Sequence, residues 1–92
     1  MAAASLEYRL AFTAIHTVLI KEWDPIGVAD EPMAQDEYDS YIPMIFRLLS
    51  EEAEDAVIAA HLAKIETHEM GLPPRMDRNL EVVVMLRRAI NT

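Results

Sequence analysis

Apolar residues recur along this chain at the spacing of an α-helix. In the first stretch the intervals are four, three, four and four residues, at Tyr8, Phe12, Ile15, Leu19 and Trp23. Such a stripe is typical of a helix that buries one face. It predicts a helix from near Ser5, whose hydroxyl can cap the first turn, to Glu22. The helix should stop at Asp24, because the proline that follows disfavours helical backbone at that residue.

A second stripe repeats at intervals of four, three and four residues, at Tyr38, Ile42, Ile45 and Leu49. It predicts a second helix from Asp36, in which Asp36 caps the first turn and Asp39 returns a hydrogen bond in a capping box. Pro43 falls inside this helix, where a proline costs about 3 kcal/mol. We favour a kink at Pro43. The alternative is a short turn over residues 36–41, followed by a helix from near Ile42.

Two further stretches complete the pattern. The acidic run SEEAED, residues 50–55, predicts a break and then a third helix to about Glu69. Gly71 is placed to adopt the left-handed conformation just past its end, and two prolines enforce the stop. A fourth helix is predicted from about Asp77. The side chains predicted to face the core are Val57, Ile58, Leu62 and Ile65 in the third helix, and Leu80, Val83, Val84, Leu86 and Ile90 in the fourth.

The fold class predicted from this pattern is all-α. Four helices with mostly short connections favour one compact bundle, with residues 1–92 as a single helical domain. The exception is a long connection, residues 24–35, which prolines and a glycine keep from forming a regular element. Connections of this length are often functional. We expect this one to be an ordered loop.

The loop and its flanks, WDPIGVADEPMAQDEYDSY (residues 23–41), contain two kinds of residue. We interpret the first kind as architectural. Trp23 and Tyr38 would fasten the loop to the bundle, and Asp24 would accept hydrogen bonds from loop amides rather than act in catalysis. The full architectural set is Trp23, Asp24, Pro25, Gly27, Asp36 and Tyr38.

Charge suggests what the remaining residues of the loop do. The formal net charge is −8, and residues 22–39 hold seven acidic residues and no basic one. A phosphate backbone would be repelled, so we expect no nucleic-acid partner. A basic protein partner is the better hypothesis, with solubility alone as the alternative. The residues predicted to bind such a partner are Asp30, Glu31, Glu37, Asp39 and Tyr41.

Composition bears on the cellular compartment in which the protein is expected. The chain has no cysteine, which excludes a disulfide framework and a thiolate metal site and fits a reducing cytoplasm. Its longest apolar run, residues 10–20, is shorter than the roughly 18 to 20 residues of a membrane span and lacks the flanks of a signal peptide. We therefore expect a soluble cytoplasmic protein with no membrane partner.

Candidate catalytic and metal sites are weak. The acidic residues do not follow the spacing of a calcium loop, and no nucleophile or phosphate-loop motif is present. His61 and His68 are seven residues apart and share a helix face with Lys64, but a helical zinc pair is spaced three or four residues apart. His16 is interpreted as a histidine at the core boundary. We predict no enzyme, no catalytic residue, no cofactor and no metal site.

Three blocks of the sequence carry a resemblance to known proteins. They are WDPIGV (residues 23–28), DEYDSYIPMIFRLL (36–49) and IETHEMGLP (65–73). Together they resemble a family of small bacterial helical proteins of unknown function, and this resemblance implies a compact helical domain in a bacterial cytoplasm. It implies no activity or site residue. In general character only, the acidic chain is also similar to immunity proteins that neutralise bacterial nuclease toxins.

The sequence leads to two main hypotheses about function and to a third, weaker one. The first is a protein-binding or regulatory module that engages a basic partner through the acidic loop and the start of the second helix. The alternative is a structural, homo-oligomeric bundle without catalytic activity, which the apolar run VVVML, residues 82–86, favours. A domain that binds a small molecule or a metal ion is third, supported only by Asp24 and the histidines.

Overall fold

The computed structural model describes residues 2–91, and the side chains from residue 7 onward. The helices are α1 (Ala2–Val18), α2 (Ile42–Ser50), α3 (Asp55–Lys64) and α4 (Met76–Ile90). Within residues 2–91 there is no strand, and the predicted all-α bundle with a loop between the first two helices is confirmed. No helix in the described part of the chain is both long enough and apolar enough to cross a membrane.

Helices α1 and α3 both continue into a turn of π-helix. The first π turn is Leu19–Trp23 and the second is Ile65–Glu69. Each is closed by an amide five residues beyond its acceptor, at 2.9 Å from Asp24 to Leu19 and at 3.2 Å from Met70 to Ile65. A π turn widens the helix and rotates the following side chains relative to α-helical spacing, and such turns are frequent at functional sites.

The helix ends agree with the predictions except at the N-termini of the first and second helices. Because α1 begins at Ala2, Ser5 lies inside the helix and cannot cap its first turn, so this prediction is wrong. The preceding alanines are strong helix formers and extend the helix toward the N-terminus. Asp24 ends the first π turn in the left-handed region, at φ 32°. Gly71 follows the second with φ 67°, as predicted.

The favoured start of the second helix, at Asp36 with a kink at Pro43, is wrong, and the alternative of a turn followed by a helix from near Ile42 is confirmed. α2 begins at Ile42, after a 3₁₀ turn at Asp39–Tyr41, and Pro43 lies in its first turn. A proline is favoured there, because the amide hydrogen that it lacks has no partner in the first turn of a helix. The capping box does not form. Asp36 contributes its carbonyl oxygen, which accepts the Asp39 amide in a turn at 3.1 Å.

The core lies where α4 packs against both α1 and α3, while α1 also packs against α2. Three side chains predicted to face inward are instead exposed: Val57, Leu80 and Val84. The face that α4 presents to its two neighbours is rotated toward Asn79 and Val82, so Leu80 and Val84 fall at its edge. The buried apolar core comprises Ile15, Val18, Leu19, Ile20, Trp23, Tyr38, Ile42, Ile45, Leu49, Ile58, Ala59, Leu62, Ile65, Val82, Val83 and Leu86.

Candidate functional site

A polar hub, formed by the buried side chains of Trp23, Glu66 and Asn79 and by the more exposed Arg75, connects both π turns to α4. The Trp23 indole donates to Oδ1 of Asn79 at 3.0 Å, and the Asn79 amide donates to Oε1 of Glu66 at 2.7 Å. Nε of Arg75 donates to Oε2 of Glu66 at 2.8 Å. Glu66 has no exposed surface, so its charge depends on these donors for the solvation that water would otherwise provide.

Arg75 of the hub and the neighbouring Arg78 also donate hydrogen bonds to backbone carbonyl groups of the first π turn. Nη2 of Arg75 donates to the Trp23 carbonyl at 2.6 Å, and Nη2 of Arg78 donates to the Glu22 carbonyl at 2.6 Å. Cations are favoured at the C-terminal end of a helix, where carbonyl groups lack partners. Within the described residues no buried side-chain nitrogen or oxygen atom lacks a hydrogen-bond partner. The hub therefore has no spare group to offer a ligand, and we assign it to the architecture.

The start of the loop is organised by the Asp24 carboxylate. It accepts the amides of Val28 at 2.7 Å and Ala29 at 3.0 Å, together with the Tyr38 hydroxyl at 2.7 Å. Burial raises the pKa of Asp24, but the hydrogen bonds from Tyr38 and the two amides outweigh burial and hold that pKa below its ordinary value. The carboxylate is thus stabilised as an anion, which suits a hydrogen-bond acceptor and not a general acid.

Two other side chains hold the loop from inside. The Tyr38 hydroxyl accepts the Ile26 amide at 3.2 Å, and the Tyr38 ring packs edge-on against the Trp23 ring at 5.3 Å. Burial and the bond to Asp24 raise the pKa of Tyr38, so its phenol stays protonated. Further along, Nε2 of Gln35 donates to the carbonyls of Ala29 and Glu31 at 2.9 Å each. The loop is ordered without help from its outer side chains.

Those outer side chains form the acidic loop surface, which we define as Asp30, Glu31, Met33, Asp36 and Glu37. All five are exposed, and Met33, on the 3₁₀ turn Pro32–Ala34, exposes 89% of its surface. The four acidic side chains have neither an ion pair nor a side-chain hydrogen bond within the part of the chain that the structure describes. Two of the predicted binding residues, Asp39 and Tyr41, are placed differently.

Asp39 and Tyr41 are partly buried and face neighbouring elements. Oδ1 of Asp39 lies 2.6 Å from Nδ1 of His16 on α1, and about 30% of each side chain is exposed. His16 thus lies at the boundary of the core. The Tyr41 ring packs edge-on against Trp23, at 6.4 Å between ring centres. The structure brings Asp30, Glu31 and Glu37 together on one loop but gives Asp39 a protein partner.

Tyr41 also borders a second feature, the α3 groove. This groove has a volume of about 240 Å³ and is lined by Tyr41, His61, Lys64, Ile65, His68 and Glu69. Burial and then Lys64 lower the pKa of His61, whereas burial, Glu69 and Glu37 raise the pKa of Tyr41. The two histidines border the same groove, but no cluster of three metal-binding side chains occurs in residues 7–91.

Sequence reasoning missed the polar hub, although the spacing contained a signal. Glu66 follows Ala59 and Leu62 at intervals of three and four, and Asn79 precedes Val83 and Leu86 at intervals of four and three. Both are therefore polar residues at core positions, where a buried partner is required. Residues that act through main-chain contacts gave no such signal. Gln35 is the example, since its amide binds backbone carbonyls only.

Comparisons of the chain with protein-family models, with curated proteins and with solved structures gave no match. The resemblance to a family of small bacterial helical proteins stays a prediction.

Proposed function

We propose that this protein is a small, non-catalytic binding module of the bacterial cytoplasm that engages a basic protein partner through the acidic loop surface. The observation that carries this proposal is the set of four acidic side chains that have no partner within the described residues, on a loop that is fastened from inside. A loop that served only to connect α1 and α2 would not need them.

Electrostatics supports a basic partner. The protein has a net charge of −8, to which Asp30, Glu31, Asp36 and Glu37 contribute. The field at the loop therefore attracts cations and repels other acidic molecules. Charge complementarity of this kind raises the rate of association and makes it sensitive to salt. Because the four carboxylates are exposed, each contributes modestly to affinity, and an apolar contact is needed to anchor the partner.

Met33 can supply that apolar contact. Its side chain is almost fully exposed among the acidic residues, and Ile26 of the same loop is exposed as well. Methionine is flexible and polarizable, and it is common at surfaces that bind peptides. An apolar centre with a charged rim is the usual anatomy of a protein interface. The partner that fits is a basic segment with at least one apolar side chain.

The internal bonds of the loop support the proposal in a second way. Asp24, Gln35 and Tyr38 fix the backbone before any partner arrives, so binding need not order twelve residues of flexible chain. Preorganisation of this kind lowers the entropic cost of association. The acidic loop surface is thus presented by a rigid element.

Partner capture with matched baits tests the proposal. The native protein is compared with a loop variant in which Asp30 becomes Asn and Glu31 and Glu37 become Gln. A control variant carries Glu7→Gln, Glu52→Gln and Glu54→Gln, which remove the same charge from exposed positions elsewhere. We expect one set of partners to be captured by the native and control baits and lost by the loop variant.

The binding of a captured partner is then measured at increasing salt. We expect its association rate to fall steeply for the native protein and much less for the loop variant. Equal capture by all three baits, or no capture by any, would overturn the proposal. A change of Met33 to Ser should also weaken binding without altering its salt dependence.

A second candidate function is self-association, which one observation favours. Leu10 exposes 64% of its surface beside a hollow of about 510 Å³ lined by Phe46, Ala89 and Ile90. The run at residues 82–86 does not support it as predicted, because Val82, Val83 and Leu86 belong to the protein's own core. The molecular mass by light scattering at low and high concentration, with Leu10→Gln as the comparison, tests this candidate.

A further inference from the structure

The α3 groove holds hydrogen-bond donors that the protein itself does not use. The Tyr41 hydroxyl, the Lys64 ammonium and the rings of His61 and His68 have no hydrogen bond or ion pair within the described residues. All four line the same groove of about 240 Å³. The polar hub nearby shows the opposite arrangement, since every buried polar side-chain atom there has a partner.

The geometry of α3 and the second π turn brings these donors together. His61 and Lys64 lie on α3, and His68 lies in the second π turn, which rotates it relative to the positions before it. Ile65, which is 4% exposed, provides an apolar wall between them. Tyr41 approaches from the N-terminal end of α2. The α3 groove thus has mainly polar side chains at its opening and one apolar side chain, that of Ile65.

The donor set favours an anion over a cation. Lys64 repels a metal ion, and no triad of metal-binding side chains occurs in the described residues. Tyr41 keeps its proton because burial, Glu69 and Glu37 raise its pKa, so its hydroxyl is a donor. His61 is neutral at neutral pH because burial and Lys64 lower its pKa, and a neutral ring still has one N–H to donate.

The size and charge of the surroundings limit the anion. The carboxylates of Glu37 and Glu69 act on Tyr41 and would repel a ligand with two or more negative charges more strongly than one with a single charge. The volume is smaller than the roughly 300–1,000 Å³ of pockets for drug-sized ligands. A single negative charge on a short apolar body matches these limits, since the charge meets Lys64 and the body meets Ile65.

We propose that the α3 groove binds the carboxylate of a small organic acid, with Lys64 supplying charge, His61, His68 and the Tyr41 hydroxyl supplying hydrogen bonds, and Ile65 contacting the apolar part. Hydrogen bonds to a charged oxygen are shorter and stronger than those between neutral groups. This site is distinct from the acidic loop surface, which attracts ligands of the opposite charge.

Nuclear magnetic resonance of the whole protein tests the site with defined probes. Butyrate is titrated to about 20 mM at constant ionic strength, a range that covers weak binding with a Kd of about 1 mM. We expect saturable shifts of the His61, His68 and Tyr41 ring signals. His16, whose ring is bonded to Asp39 outside the groove, should not respond. Butyramide and inorganic phosphate serve as the neutral and the more highly charged probes, and both should bind more weakly than butyrate.

Two lysine variants test which side chain supplies the positive charge, and a tyrosine variant tests a neutral donor. Lys64→Gln should weaken butyrate binding about tenfold, the effect of losing one charge-assisted hydrogen bond. Lys21→Gln removes the only other lysine, which is also exposed and unpaired, and should leave the affinity unchanged. Tyr41→Phe removes one neutral donor and should weaken binding less than Lys64→Gln does.

Several results would overturn the carboxylate site. They are the absence of saturation with butyrate, equal shifts with butyramide, stronger binding of phosphate, and equal loss of affinity in the two lysine variants. A response of His16 as large as that of His61 would show general surface binding and would also count against the site.

Discussion

The first and second π turns, which follow α1 and α3, are closed by the same type of backbone hydrogen bond but carry different side chains. In the first, Trp23 is buried, and Arg78 of α4 and Arg75 just before it donate to the carbonyls of the turn. In the second, Glu66 enters the polar hub while His68 and Glu69 remain exposed beside the α3 groove. The same local device thus serves two purposes. Where α4 packs against the turn, carbonyl groups of the turn have hydrogen-bond partners in the protein. Where the turn stays open, its side chains remain available to a ligand.

Substituting the two glutamates of the second π turn is the strongest test of this difference. Glu66→Ala should lower the free energy of unfolding by about 3 kcal/mol, because Asn79 and Arg75 lose a buried, charged acceptor. Glu69→Ala, three residues later but exposed, should change it by no more than about 0.5 kcal/mol. Chemical denaturation of both variants provides the comparison. Similar losses would mean that burial does not separate the two sides of the turn.

The indole hydrogen bond of the first π turn should have the next largest effect. Trp23→Phe keeps an aromatic ring but leaves Oδ1 of Asn79 without its donor and leaves a small cavity. We expect a loss of about 2 kcal/mol in the free energy of unfolding. A loss below about 0.5 kcal/mol, measured in the same denaturation experiment, would mean that water or another group replaces the indole.

The stability of the loop that follows the first π turn should depend on pH, because the Asp24 carboxylate accepts hydrogen bonds from its amides. Its pKa is lower in the folded state than its ordinary value of 3.8. The stability that it contributes is therefore fully present above about pH 4 and is lost as the pH falls through the folded pKa. Asp24→Asn should reduce this acid-induced loss, as followed by thermal unfolding between pH 6 and pH 2. Asp30→Asn, which changes an exposed carboxylate without a partner, should leave the loss unchanged.

The smallest effect on stability is expected in the α3 groove. Lys64→Gln and His68→Gln should each alter the free energy of unfolding by no more than about 0.5 kcal/mol, since neither side chain has a partner to lose. Thermal unfolding of the two variants without ligand gives the measurement. A loss above 1 kcal/mol in either variant would show that these residues support the fold, and the contrast between the two turns would disappear.

The contrast between buried and exposed positions also explains which features could be predicted from the sequence. The period of Tyr8, Phe12, Ile15 and Trp23 follows from burial of one helix face, and it gave the helix and its end. Pro43 was misplaced because a proline is costly inside a helix but favoured in its first turn, and spacing alone does not distinguish the two positions. The stripe at Tyr38 continued through a 3₁₀ turn, which made the helix look longer than it is.

The site was less predictable, because exposure and pairing depend on tertiary contacts. Asp39 could be identified as acidic and close to a helix start, but its partner His16 lies 23 residues earlier in the chain. The α3 groove was predicted only in part, since the sequence indicated the shared face of His61 and His68 but not the contribution of Tyr41, which lies in the 3₁₀ turn before α2. Neither π turn has a sequence signature that the apolar spacing could reveal.

The arginine bonds to the end of α1 also bear on the order in which the molecule assembles. Arg78 and Glu22 are separated by 56 residues, whereas α3 and α4 are neighbours along the chain. Because closing a longer loop costs more chain entropy, we expect α3 to pair with α4 before α1 docks. Contacts made after the transition state slow unfolding without accelerating folding. If α1 docks after the transition state, loss of Arg75 or Arg78 should speed unfolding more than it slows folding.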